Sequence, residues 1–234
     1  MAGNVRIDPD SGQTRASVPG GSSRPVRRDR DDEMNPANPV EAESYRILRS
    51  RLDLSAMPPL SRAVTERVLY ATADFDYVSD LVCDEAALAA SIGALRRGVR
   101  VVADTATIAA GVTGYPVICK AADSLAARLA RTAKITVAAA AARLAYTEAG
   151  PGAIWLVGCE PDALFEIMAR QVEPALVIGV PVGLVGAAQA KDALRRSGWP
   201  ALSNVSEKGG PAVAVAAFDA LLRIIKNPGE EAHG

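Results

Sequence analysis

The chain has 234 residues, a net charge of −1, 49 % hydrophobic residues and only 4 % aromatic ones. That is enough for one domain whose core is built from small aliphatic side chains, and it excludes the basic footprint of a nucleic-acid binder. Three widely spaced cysteines, Cys83, Cys119 and Cys159, make neither a disulfide framework nor a structural zinc site, so a reducing compartment is expected.

Residues 1–38 are rich in Gly, Ser, Pro, Arg and Asp and show no apolar period, which predicts a disordered tail. Its basic run, Arg24 to Arg30, reads as solvated chain or as a contact for an acidic partner. A folded domain is expected over 39–226 and a second disordered tail over 227–234. No charged-then-apolar leader opens the sequence. The most apolar run, Ala175 to Ala188, is broken by Pro181 and glycines and is too short for a bilayer. A cytoplasmic protein without membrane contact is expected.

Glu41 to Leu52 places Tyr45, Leu48 and Leu52 on one face of a first helix. Met57-Pro58-Pro59 ends it. Ser61 is expected to cap a second helix carrying Val64, Val68 and Leu69. Asp84 opens a third, through Leu88, Ile92 and Leu95, closed by Gly98. Five short apolar runs then read as strands: Val99 to Ala103, Pro116 to Cys119, Ala153 to Val157, Ala175 to Val180 and, more weakly, Ala201 to Val205. Helical stretches lie between most of them, at 124–130, 136–147, 163–170 and 187–196, with a last one at 212–225. Continuous rather than alternating apolar strands predict a mainly parallel five-stranded sheet covered on both faces, a three-layer α/β/α architecture.

Ligands of such sheets sit beyond the carboxyl ends of the strands. Here those segments are Asp104 to Gly111, Gly158 to Asp162, Pro181 to Gly186 and Ser206 to Pro211. Their small residues let backbone approach a large flat ligand closely. Asp74, Asp76 and Asp104 fall near this mouth, each more simply a cap or turn residue than a catalyst.

Several of these segments resemble one family. The most specific is PVGLVGAAQAKDAL from Pro181. DTATIAAGV from Asp104, GCEPDALF from Gly158, PALVIGVPVG from Pro174 and KGGPAVAVAA from Lys208 follow the same pattern in order and spacing. From Ser44 to Leu222 the chain resembles the precorrin-8X methylmutase (precorrin isomerase) family. The resemblance implies a flavodoxin-like fold, a homodimer and a role in cobalamin biosynthesis. It implies migration of a methyl group from C-11 to C-12 of a corrin precursor, giving hydrogenobyrinic acid, with no metal or organic cofactor. The protein's tasks are then to hold a polycarboxylate macrocycle and to protonate it.

RVLYATAD, from Arg67, matches the segment carrying the family's catalytic histidine, and the matched position is Tyr70. The one histidine of the chain is His233. Tyrosine donates a proton less readily, with a reference pKa of about 10 against about 6.5 for histidine. Tyr70 reads either as the acid or as an ordinary helix-end residue with its ring in the core. KITVAAAAARL, from Lys134, keeps the family's threonine as Thr136. It has Val137 and Ala138 in place of the arginine and serine, so a two-pronged carboxylate clamp is missing. Lys134 is a partial substitute or a solvated lysine.

Gly158 and Cys159 belong to the expected substrate loop, with Glu160 and Asp162 as helix-start acids that repel an anion. Cys159 reads more simply as a small buried residue than as a reactive thiol. Gly183 and Gly186 of the Pro181 segment, Lys191, and the Lys208-Gly209-Gly210 turn complete the substrate-binding candidates. The turn is either an anion-receiving loop or a plain helix start. Three readings stay open: an isomerase using Tyr70, a non-catalytic tetrapyrrole- or corrinoid-binding protein, and a dimer partner of an authentic family member.

Overall fold

A computed structural model describes residues 39–226; the two predicted tails lie outside the described residues. Ten helices and six strands are described among them. The strands are β1 (Leu81–Cys83), β2 (Val101–Ala103), β3 (Val117–Cys119), β4 (Ile154–Val157), β5 (Leu176–Gly179) and β6 (Ala201–Asn204). They form one sheet in the order β1-β6-β5-β4-β2-β3, parallel except for β1 against β6. The expected α/β layering is therefore present, but the sheet has six strands rather than five. The added strand is an antiparallel edge, with Leu81 opposite Asn204 and Cys83 opposite Leu202.

The central strands are buried on both faces, and their period-two alternation splits one apolar run between two cores. Ile154, Leu156, Leu176 and Ile178 pack with Leu88, Phe218 and Leu221. Those partners come from α4 (Glu85–Arg96) and α10 (Pro211–Lys226). Trp155, Val157 and Val177 turn the other way and pack with Leu164, Ile167 and Leu194. Those belong to α8 (Pro161–Ala169) and α9 (Ala187–Arg196). Beside them, α7 (Val137–Ala149) contributes a row of buried alanines, and α6 (Ser124–Ala133) packs against it.

α1 (Pro39–Arg51) buries one residue, Leu48, and lies on α2 (Pro59–Thr72). α2 starts at Pro59, not at Ser61 as expected. Proline suits the first turn of a helix, where its missing N–H costs nothing. Ser61 lies inside the helix and does not cap it. Instead the Glu85 carboxylate, 24 residues away, accepts from Leu60 N and Ser61 N, both at 2.8 Å, and from Ser61 Oγ at 2.6 Å. Two short helices, α3 (Tyr77–Asp80) and α5 (Ala106–Gly111), complete the chain.

The order of strand addition reverses at β2, which runs parallel to both its neighbours. β3 is added on one side of it and β4 on the other. The crevice at such a switch point, between the carboxyl ends of β2 and β4, is where doubly wound sheets bind ligands.

Candidate functional site

Asp104 follows β2 and faces Gly158, Cys159 and Glu160, which follow β4. Its Oδ2 accepts from all three backbone N–H groups, at 3.1, 2.8 and 3.0 Å. The backbone amides of the expected substrate loop are thus held by a carboxylate of the chain. Burial pushes the Asp104 carboxyl above its ordinary range, and the three N–H groups pull it part of the way back. Its other oxygen, Oδ1, is buried without a hydrogen-bond partner. Cys159 Sγ lies 3.6 Å from Thr105 Oγ1, and burial raises its thiol too. It has no activating base beside it.

A second carboxylate organises the opposite end of this edge. Asp80 accepts from Val205 N, Ser206 N, Ser206 Oγ and Asn204 Nδ2 at 2.7–3.0 Å. Lys191 reaches the same loop from α9. It is fully buried, and its ammonium donates to the carbonyls of Ser206 and Lys208. Burial pushes it down to about 8. Lys191 therefore positions the loop from beneath. Lys208 Nζ is bound by Asp74 at 2.8 Å and Asp76 at 2.6 Å, which hold its pKa above the usual lysine value. In the glycine turn, Gly210 N donates to Val180 O at 2.9 Å. Gly209 presses so close to that carbonyl that an added Cβ would lie 2.1 Å from it.

The Pro181 segment joins this loop through Gly183 N to Glu207 O, 3.1 Å. Gly186 precedes α9 in a left-handed conformation, φ +80°. Between Gly183 and Gly186, Leu184 is 91 % and Val185 88 % exposed. At the start of α7, Thr136 Oγ1 accepts from Ala139 N at 3.2 Å, so Thr136 is the helix cap. Val137 is 46 % exposed. Lys134 is exposed in a left-handed turn, φ +53°. Ala138 and Asp104 line one small pocket with Trp155, whose Nε1 is likewise buried without a partner.

Tyr70 stands in the last turn of α2. Its ring stacks on Tyr45 of α1, centroids 5.4 Å apart and 4° from parallel. The Arg67 guanidinium lies 4.7 Å from the Tyr70 ring centre. Arg67 is fixed by Asp219 at 2.7 Å and Glu41 at 2.8 Å, and Arg223 meets the same two carboxylates. Beside them a groove of about 330 Å³ opens between α2, α5 and α10, lined by Arg67, Ala71, Gly111, Thr113, Val215 and Asp219 among others. Among the described residues the Tyr70 hydroxyl has no hydrogen-bond partner. Its ring packs α1 against α2.

The structure thus gathers Gly158, Cys159, Lys208, Gly209 and Gly210 on loops of one sheet edge, with Lys191 of α9 beneath them and Gly183, Gly186 and the α7 start beside them. Sequence reasoning missed the anchors, Asp80 and Tyr45. Asp80 acts 126 residues away, and nothing local announces such a bond.

Comparison with known proteins shows the family. The family described as Precorrin-8X methylmutase matches residues 39–224. A cobalt-precorrin-8 methylmutase of Salmonella typhimurium is 35 % identical over 195 residues, covering 78 % of this chain and 93 % of the relative. One of Methanocaldococcus jannaschii is 34 % identical, covering 70 % and 80 %. The structure of a precorrin-8X methylmutase from Thermus thermophilus superposes with a TM-score of 0.74 at 33 % identity, covering 82 % of this chain and all of the other. The chain belongs to the precorrin-8X methylmutase family of cobalamin biosynthesis.

Proposed function

We propose that this protein binds a corrin-type macrocycle at the carboxyl edge of its sheet and that its methyl-migration activity is strongly impaired. The observation that carries this reading is the state of Tyr70. Its ring is committed to the Tyr45 stack and the Arg67 guanidinium, its hydroxyl meets no base or acid among the described residues, and a phenol is a far weaker acid than an imidazolium. Among the described residues none is a histidine. General acid catalysis is worth roughly 10²–10⁴ in rate, which is the size of the loss expected. The macrocycle lies against the glycine-bearing loops after β4, β5 and β6, where backbone comes within reach of a flat ring, and the family's homodimer is the assembly expected.

The test is conversion of precorrin-8X to hydrogenobyrinic acid, followed in the visible spectrum, beside the Thermus thermophilus relative. The expected rate is at least about 100-fold below that of the relative and is unchanged in Tyr70→Phe. A rate near the relative's that disappears in Tyr70→Phe would establish Tyr70 as the acid and overturn the reading.

A further inference from the structure

We propose that the ring this cleft selects carries carboxamides, not carboxylates, around its periphery. The proposal rests on the corrinoid-binding reading above and specifies its ligand.

Most of the positive groups that the sequence offers to an anionic side chain are already spent. Lys208 is held between Asp74 and Asp76. Lys191 is buried on two carbonyls. The Gly158–Glu160 amides are filled by Asp104. At α7 the cap is Thr136, and the next side chains are Val137 and Ala138, which donate nothing. Lys134 is the cation left exposed there.

What the edge offers in surplus is acceptors. Glu160, Asp162 and Glu207 are exposed on the loops after β4 and β6. The helix N-termini at this edge each carry about half a positive charge. At α8 that charge faces Asp104, Glu160 and Asp162, and the acids outweigh it. Two buried side-chain oxygens without a donor, Asp104 Oδ1 and Asn204 Oδ1, also lie at strand ends here. Asn204 is fully buried. Its Nδ2 donates to Asp80 Oδ2 and Lys208 O, at 2.8 and 2.9 Å, which fixes the side chain so that Oδ1 is the idle atom.

The mouth is apolar as well, through Val182, Leu184, Val185 and Val205. An apolar platform with an acceptor-rich, negatively charged rim fits a ring with an apolar face and N–H donors at its edge. A ring bearing several carboxylates meets repulsion at the same rim.

The experiment is a visible-absorption titration of the full chain with two probes of the same chromophore, dicyanocobinamide (amidated) and dicyanocobyrinic acid (carboxylate), at low and at physiological salt. The amidated ring is expected to bind at least about tenfold more tightly at low salt, with the gap narrowing as salt screens the rim. Val137→Arg, at an exposed position, is expected to shift the preference toward the acid. Equal or tighter binding of the acid by the unaltered protein would overturn the amide preference alone. Binding of neither ring would overturn it together with the corrinoid-binding reading.

Discussion

At position 209 a side chain has nowhere to go. An added Cβ would lie 2.1 Å from the Val180 carbonyl oxygen, and φ is +148°. Gly209→Ala is expected to lower stability by about 3 kcal/mol. Gly198→Ala, also at positive φ but with open space around it, is expected to cost about 1 kcal/mol. Urea unfolding of the two variants measures both, and equal losses would mean that the turn relaxes. Only part of such detail was legible in the sequence. The two glycines before a helix marked a tight turn, but not that the turn is filled by the backbone just after β5. Asp104 was legible as a cap or turn residue, and it caps a loop 54 residues distant. Tyr70 was legible as a helix-end position, whereas its stacking on Tyr45 depends on how α1 lies on α2.

Helix α2 illustrates how an element can take its cap from elsewhere. Pro58 and Pro59 begin it without a side-chain cap, and Glu85 supplies the acceptor from the first turn of α4. A carboxylate at a helix N-terminus also meets the positive end of its dipole. Glu85→Ala is expected to cost about 2 kcal/mol, and Glu85→Gln about half of that. Matching losses in the two variants would show that charge contributes nothing. The same long-range capping explains why Ser61 looked like a cap: a serine near an apolar run carries the usual signal, but its hydroxyl is a donor here. Four of the five parallel strands were readable as continuous apolar runs bounded by turns, and β6, with Ser203 and Asn204, only weakly. β1 was not, since it has three residues flanked by Asp80 and Asp84, and an edge strand needs no such run. α5 was missed for a similar reason: six residues hold too little period to register.

The core at the sheet edge makes the whole domain sensitive to alkali. Burial, reinforced by the nearby Glu85 charge, pushes the Cys83 thiol up to about 12 from an ordinary 9.0. Burial also raises Tyr45, Tyr77 and Tyr115. A raised acid contributes stability in full below its unfolded pKa and loses it as pH rises toward its folded pKa. Lys191, depressed to about 8, has the opposite sign: its cost is full below about 8, where the folded chain holds the buried ammonium, and fades as pH rises from about 8 toward 10.5. Thermal melts from pH 8 to 10.5 are therefore expected to show Cys83→Ala losing stability more slowly than the unaltered protein above pH 9. Parallel curves would place the thiol in contact with solvent.

The chain has the fold of its family, and under the function proposed here Tyr70 packs a helix and Val137 offers no guanidinium. The most direct measurement is hydrogenobyrinic acid formation from precorrin-8X by the unaltered chain and by the double variant Tyr70→His/Val137→Arg, under identical conditions. The double variant is expected to convert at least about 100-fold faster, because it places an imidazole and a guanidinium at the two positions that the proposed function finds without them. Conversion by the unaltered chain at the double variant's rate would contradict the account.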